Sequence, residues 1–196
     1  MAPPGCVVFD LGGVLIELDT DRLLQRLGCT GRRADWHAWM LHSAAAQDFE
    51  CGRVQGGTFA RRAIAELGLD ISVEAFGAAF SEWVRGPFAS SRSLVGAVTV
   101  DAVCLSNCNA LHWDRLKGQG VHRWFSRCFM SHELGAAKPM DAAFAAVERE
   151  VDGPLLFLDD NEVNVHAARA RGWDAERVDG PEAAHTVLAV RGLLRR

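Results

Sequence analysis

At four places in the sequence, polar side chains of chemically useful types stand at the end of an apolar run or at the expected start of a helix. Asp10 follows one apolar run, Ser106 a second and the pair Asp159 and Asp160 a third, whereas Lys138 precedes a proline. Each alone has an ordinary structural explanation, such as a turn, a helix cap or a solvated charge. Together they supply a nucleophilic carboxylate, a hydroxyl, an ammonium group and a paired acid, which are groups that covalent catalysis uses.

The run Cys6–Phe9 is short, apolar and rich in β-branched residues, as is typical of a buried parallel strand. Asp10 ends this run, and Gly12 and Gly13 indicate a tight turn directly after it. Ligands of open α/β sheets bind beyond the carboxyl ends of the strands. The sequence therefore predicts that Asp10 and the other three sets of polar residues converge at one sheet edge.

Short apolar runs alternate with helical patterns along the rest of the chain. Strands are expected at Cys6–Phe9, Val103–Leu105, Cys128–Met130 and Pro154–Leu158, with a weaker one at Asp174–Val178. This alternation predicts an α/β fold with a Rossmann-like, doubly wound parallel sheet and right-handed crossovers.

A helical insertion is expected between the first two of these strands. Aromatic residues recur there at helical spacing, as in the stripe of Phe76, Phe80 and Trp83, and are expected to form the core of the insertion. We therefore predict a catalytic core of residues 1–16 and 87–196 with a helical cap at 17–86.

Composition excludes several classes of function. The chain has 196 residues, 49% of them hydrophobic, and a net charge of −4, which gives no general attraction to nucleic acid or to anionic membranes. No apolar run approaches the roughly 20 residues of a membrane span, and the N-terminus MAPPG does not resemble a secretion signal. The six cysteines include no C-x-x-C pair. These features favour a cytoplasmic protein that binds neither nucleic acid nor membrane, with monomer and homodimer both open.

The four polar sites also match, in order, the four motifs of the haloacid dehalogenase (HAD) superfamily, which the chain resembles over its whole length. The matching segments are FDLGGV at Phe9–Val14, LSN at Leu105–Asn107, Lys138 within AAKP, and FLDDN at Phe157–Asn161. The insertion matches the helical cap that follows the first motif. The runs LSNCNALH, MSHELGAAKP and FLDDNEVNVHAARARG are most similar to those of bacterial phosphatases that act on glucose 1-phosphate.

This resemblance implies a magnesium-dependent phosphatase that forms an aspartyl phosphate. Asp10 would be the nucleophile and, with the main-chain carbonyl of Gly12 and the carboxylate of Asp160, would bind Mg²⁺, while Asp159 would act through a metal-bound water. The implied substrate is a small phosphorylated metabolite of the sugar phosphate class.

The same resemblance assigns the phosphate-binding groups. Ser106 would donate a hydrogen bond to a phosphoryl oxygen, and Asn107 with turn N–H groups would complete the anion site. Lys138 would bridge the nucleophile Asp10 and the transferring phosphoryl group.

The sequence departs from the superfamily pattern at Gly12. Most of the phosphatases have a second Asp there, which protonates the leaving oxygen and then activates water. Such help is typically worth about 10² to 10⁴ in rate. Another acid, such as Glu17, Asp19 or a cap residue, would then protonate the leaving oxygen. Alternatively, the substrate would have a leaving group that needs little protonation. A binding or regulatory protein without turnover, and a hydrolase of C–X or C–P bonds, remain the alternatives.

The cap is expected to contact the part of the substrate away from phosphorus. Its candidate polar residues are His37, His42, Glu50 and Arg53, and His112 lies just beyond the second motif. Chain order leaves open which of them faces the site. It also leaves open whether Gly12 needs a positive φ, which would exclude an Asp side chain at that position.

Overall fold

The computed structural model describes residues 3–195, which alternate between strands and helices for most of their length. The strands are β1 (Cys6–Phe9), β2 (Ile16–Leu18), β3 (Val84–Pro87), β4 (Asp101–Ser106), β5 (Arg127–Met130), β6 (Leu155–Asp159) and β7 (Asp174–Arg177). The helices are α1 (Thr20–Arg26), α2 (Arg33–His42), α3 (Ala44–Glu50), α4 (Gly56–Leu67), α5 (Val73–Trp83), α6 (Ser91–Ala97), α7 (Ala110–Gly118), α8 (Ser131–Leu134), α9 (Asp141–Glu148), α10 (Glu162–Ala170) and α11 (Gly180–Val190). None of the helices within 3–195 has the length and apolarity needed to cross a membrane.

Five strands form a parallel sheet in the order β5-β4-β1-β6-β7, which confirms the predicted Rossmann-like α/β fold. The register pairs Phe9 with Cys104 on one side and with Leu158 on the other. Three neighbouring strands therefore end nearly level with one another. This alignment brings Asp10, Ser106 and Asp159 to one edge of the sheet.

Apolar side chains cover both faces of the parallel sheet, because successive residues of β1 point to opposite sides. Val7 and Phe9 pack in one buried cluster with side chains from α6, α7 and α11. Cys6 and Val8 pack in a second cluster with α9 and α10. A doubly wound sheet buries its strands on both faces, and all four residues of β1 are buried accordingly.

Between β2 and β3 the chain forms α1 to α5, which we call the helical segment (residues 20–83). It has its own buried cluster, in which Phe49 and Phe59 stack with ring centroids 4.3 Å apart and Phe80 lies 4.9 Å from Phe59. The strands at its two ends pair in antiparallel fashion, so the chain enters and leaves the segment through a two-stranded ribbon. The boundaries 17–86 and the description of this segment as a cap domain stay predictions.

Candidate active site

The loop after β1 holds Asp10 and presents it at the sheet edge. The amide of Asp10 donates to the carbonyl of Leu158 on the neighbouring strand (2.8 Å), which continues the sheet pairing by one residue. The two glycines that follow differ in conformation. Gly13 has a φ of +72°, whereas Gly12 does not lie in the left-handed region, which settles the question that the sequence left open at position 12. A positive φ therefore does not exclude a side chain at position 12.

Three carboxylates lie together at this edge. One oxygen from each of Asp10, Asp159 and Asp160 lies within 4.8 Å of the other two. Lys138 lies between two of them, with its Nζ 2.9 Å from Oδ1 of Asp10 and 2.6 Å from Oδ2 of Asp159. One buried ammonium group thus faces three acids, and the cluster carries an excess of negative charge when all are ionised.

Asp159 is fully buried and its carboxylate is already occupied by protein donors. Oδ1 accepts from the amide of Asn161 (2.8 Å), and the side-chain amide of Asn164 lies 3.1 Å from both oxygens. Together with the bond from Lys138, these contacts occupy both oxygens of Asp159. Asp159 therefore serves to position the lysine. Asn164, on the inward face of α10, was missed in the sequence; its spacing after the fourth motif was the only available signal.

Burial and mutual repulsion raise the pKa values of the two less occupied acids. Burial raises the pKa of Asp10 to about 6, and the charge of Asp159 adds to the shift while Lys138 opposes it. Burial also raises the pKa of Asp160 to about 7, with the charges of Asp10 and Asp159 acting in the same direction. Burial would lower the pKa of Lys138, but Asp10 and Asp159 outweigh it and raise that pKa, so the lysine stays charged.

The second motif lies beside this cluster. Ser106 is buried at the end of β4, and its neighbour Asn107 holds the main chain of Lys138 on both sides. Oδ1 of Asn107 accepts from the amide of Lys138 (2.7 Å), and its Nδ2 donates to the carbonyl of the same residue (2.9 Å). The Asn107 side chain therefore orients Lys138. The predicted contribution of Asn107 to phosphate binding would then come from its main chain.

A cavity of about 70 Å³ lies between this edge and the helical segment. Its lining includes Gly12, Glu50, Ser106, Asn107, Asn109 and His112. Of the four polar residues proposed for the cap, only Glu50 lines it. His37, His42 and Arg53 are exposed on the surface, where Arg53 pairs with Asp48.

His112 joins the core to the helical segment. Its ring stacks on Phe80 with centroids 4.5 Å apart, and its Nε2 donates to the Phe80 carbonyl (2.8 Å) while Nδ1 accepts from Asn109 (3.0 Å). Burial lowers the pKa of His112 to about 4. The imidazole is therefore neutral at physiological pH, with both nitrogens engaged.

Comparison with known proteins agrees with this architecture. No family model matches the chain. It is 23% identical over 185 residues to D-ribitol-5-phosphate phosphatase from Bacteroides thetaiotaomicron, a match that covers 86% of this chain and 88% of that protein.

Solved structures show the same fold. A HAD-like family hydrolase from Porphyromonas gingivalis superimposes with a TM-score of 0.79 and 25% identity, covering 100% of both chains. A HAD family enzyme from Bacteroides thetaiotaomicron, in complex with magnesium and inorganic phosphate, has a TM-score of 0.73 and 23% identity over 89% of this chain and 93% of its own. The chain therefore has the fold of HAD family enzymes and is similar over its full length to a HAD-like hydrolase, with a parallel sheet and a carboxylate–lysine cluster at one edge.

Proposed function

We propose that this protein is a Mg²⁺-dependent phosphatase that hydrolyses a small sugar or polyol phosphate through an aspartyl phosphate on Asp10. The observation that carries the proposal is the cluster itself, in which Asp10, Asp159 and Asp160 meet one buried Lys138 at the carboxyl edge of the sheet. A carboxylate nucleophile, an anion-binding cation and an acidic metal site are what such a reaction needs.

The donor set fits magnesium. The three carboxylates supply hard oxygens, which Mg²⁺ prefers, and the raised pKa values of Asp10 and Asp160 indicate negative charge that a cation would stabilise. Asp10, the Gly12 carbonyl and Asp160 would hold the ion, and Asp159, occupied by Lys138 and Asn164, would act at one remove. When bound, the ion would offset the repulsion between the nucleophile and the phosphate dianion.

Side chains of the protein itself would attack phosphorus and bind the phosphoryl group. Asp10 would attack phosphorus, and Lys138, already 2.9 Å from its Oδ1, would neutralise charge on the nucleophile and the phosphoryl oxygens. Ser106 would donate a hydrogen bond to a phosphoryl oxygen, and the main chain at Asn107 would assist it. Because Asn107 and Asp159 hold the lysine from two sides, its ammonium group is positioned before substrate binds.

The substrate class rests on the sequence relative that acts on D-ribitol 5-phosphate. The cavity of about 70 Å³ is much smaller than the roughly 300–1,000 Å³ of ordinary ligand pockets, so the helical segment would move outward to admit a sugar or polyol phosphate. Closure of the segment as a cap would then exclude water from the reaction.

The test is a panel of sugar, polyol and aryl phosphates assayed with Mg²⁺ and with chelator. We expect phosphate release that requires the metal and is lost in the Asp10→Asn variant, because an amide is a poor nucleophile and a weaker Mg²⁺ ligand. Asp114→Asn, at an exposed position on α7, is the matched control and should keep wild-type activity.

Other results of the panel would contradict the proposal. Undiminished phosphate release by Asp10→Asn would remove Asp10 from the mechanism. In a parallel assay with a haloacid, halide release without metal would identify a dehalogenase. No turnover of any ester, together with a ligand that raises the melting temperature, would identify a binding or regulatory protein.

A further inference from the structure

Resting on the proposed phosphatase function, we propose that Glu50 is the general acid and base of the reaction, in place of the side chain that Gly12 lacks. Glu50 ends helix α3 of the helical segment and lines the same cavity as Gly12 and Ser106. Among the described residues that line this cavity, Glu50 alone carries a carboxyl group. Glu50, on the helical segment, would therefore reach the leaving oxygen from the side opposite the strands that bind the phosphate.

The main chain at Glu50 is fixed to the core. The buried hydroxyl of Ser131 donates to the Glu50 carbonyl (2.6 Å) and accepts from the amide of Cys108 (2.9 Å). Two residues later, Gly52 packs so closely on α8 that a Cβ there would lie 2.3 Å from the carbonyl oxygen of His132. The end of α3 is thus held in register with the second motif, which positions the Glu50 side chain beside the cavity.

The surroundings of Glu50 suit a proton donor. Burial raises its pKa to about 7; the charge of Asp10 also raises it, and Lys138 opposes both. The neighbouring thiols of Cys108 and Cys51 stay neutral because burial raises the pKa of each. Glu50 is therefore partly protonated near neutral pH, where a general acid and base is most effective.

The other candidate acids are engaged elsewhere. Glu17 pairs with Arg85 (3.0 Å) on the β2–β3 ribbon, and Asp19 caps α1 by accepting from the amide of Arg22 (3.1 Å). His112 lines the cavity, but both of its nitrogens are bonded and its low pKa leaves it neutral. Glu50 has no such engagement of its carboxyl group among the hydrogen bonds of the described residues.

The proposed reaction has two steps. In the first, a bond forms from an Asp10 oxygen to phosphorus, the P–O bond to the alcohol breaks, and the Glu50 carboxyl proton passes to the departing oxygen. In the second, water attacks phosphorus, the bond from Asp10 to phosphorus breaks, and Glu50 regains a proton from that water. Inorganic phosphate and the alcohol are the products.

The experiment compares two leaving groups in wild type and Glu50→Gln. The probes are 4-nitrophenyl phosphate, whose aryl oxide leaves without a proton, and the primary alkyl phosphate that wild type hydrolyses fastest in the panel. We expect kcat/KM for the alkyl ester to fall by about 10² to 10⁴-fold in Glu50→Gln and kcat/KM for the aryl ester to change little. A burst of about one nitrophenol per enzyme should precede slow turnover, because water activation is also lost.

Glu17→Gln is the matched control and should leave both kcat/KM values unchanged. Ser131→Ala, which frees the end of α3, should lower the alkyl value more than the aryl one. The ratio of the two kcat/KM values is independent of the folded fraction, so a poorly folding variant still reports on the proposal.

The outcomes separate the two proposals. If wild type hydrolyses neither ester with Mg²⁺, the proposed function fails. If wild type hydrolyses both and Glu50→Gln retains the wild-type ratio of kcat/KM values, the role of Glu50 is overturned while the phosphatase assignment stands.

Discussion

Gly13 lies directly against the carboxylate of Asp160. A Cβ at position 13 would fall 2.2 Å from Oδ2 of Asp160, and the backbone there has a φ of +72°. The turn after the proposed nucleophile and the last acid of the site are thus packed against each other, which limits where the Asp160 carboxylate can lie.

Gly13→Ala should therefore damage the metal site. The left-handed conformation costs an alanine about 1–2 kcal/mol, and the clash adds to it by displacing Asp160. We expect a lower free energy of unfolding and a loss of the rise in melting temperature that Mg²⁺ gives wild type. Urea unfolding and a magnesium titration followed by thermal denaturation measure both.

Gly12→Ala is the control for this variant, because residue 12 is not left-handed and its new Cβ would meet only the flexible end of Leu18, at 3.3 Å. It should retain the magnesium response. An equal loss in both variants would show that the turn as a whole, and not the contact with Asp160, determines metal binding.

Lys138→Met should destabilise the protein strongly in the presence of chelator. Removing one partner of a buried ion pair typically costs about 3–5 kcal/mol. Without the lysine the folded-state pKa of Asp10 rises further above its unfolded value, so the folded protein binds more protons and loses stability as pH increases. The loss should therefore be larger at pH 8 than at pH 5, as measured by urea unfolding at both values.

Lys117→Met, which breaks an exposed pair with Asp114, is the control and should cause little change at either pH. A destabilisation by Lys138→Met that is the same at pH 5 and pH 8 would contradict the coupling between the lysine and the buried acids.

His112 should make the protein less stable in acid. Its folded-state pKa of about 4 lies below the unfolded value of about 6.5, so the folded state binds fewer protons between these values. Its contribution to stability is full above pH 6.5 and is lost as pH falls through 4, a change of about 3 kcal/mol. Urea unfolding from pH 7 to 4 should show a shallower decline in His112→Gln than in wild type.

The exposed His42 provides the comparison, and His42→Gln should keep the wild-type slope. Parallel slopes for wild type and His112→Gln would indicate that the imidazole is solvated rather than buried against Phe80.

The residues of the sheet edge could be predicted because their positions follow from local patterns. An apolar run that ends in a polar residue defines the carboxyl end of a strand, and parallel pairing brings such ends together. Asp10, Ser106, Asp159 and Asp160 accordingly meet at one edge. The parallel sheet was predicted from the alternation of strands and helices, which also depends on nearby residues, whereas the order of its strands came only from the structure.

Contacts between distant segments were decided by the tertiary structure. The sequence offered four polar candidates in the insertion without distinguishing them: His37, His42, Glu50 and Arg53. Which face of a helix points to the site depends on how the five helices pack around Phe49, Phe59 and Phe80. The close approach of Asp160 to Gly13 is likewise a contact between residues 147 positions apart, which no local pattern records. Glu50 lines the same cavity as Gly12, and the hydrogen bond from Ser131 to its carbonyl joins residues 81 positions apart, so this placement depends on the completed fold.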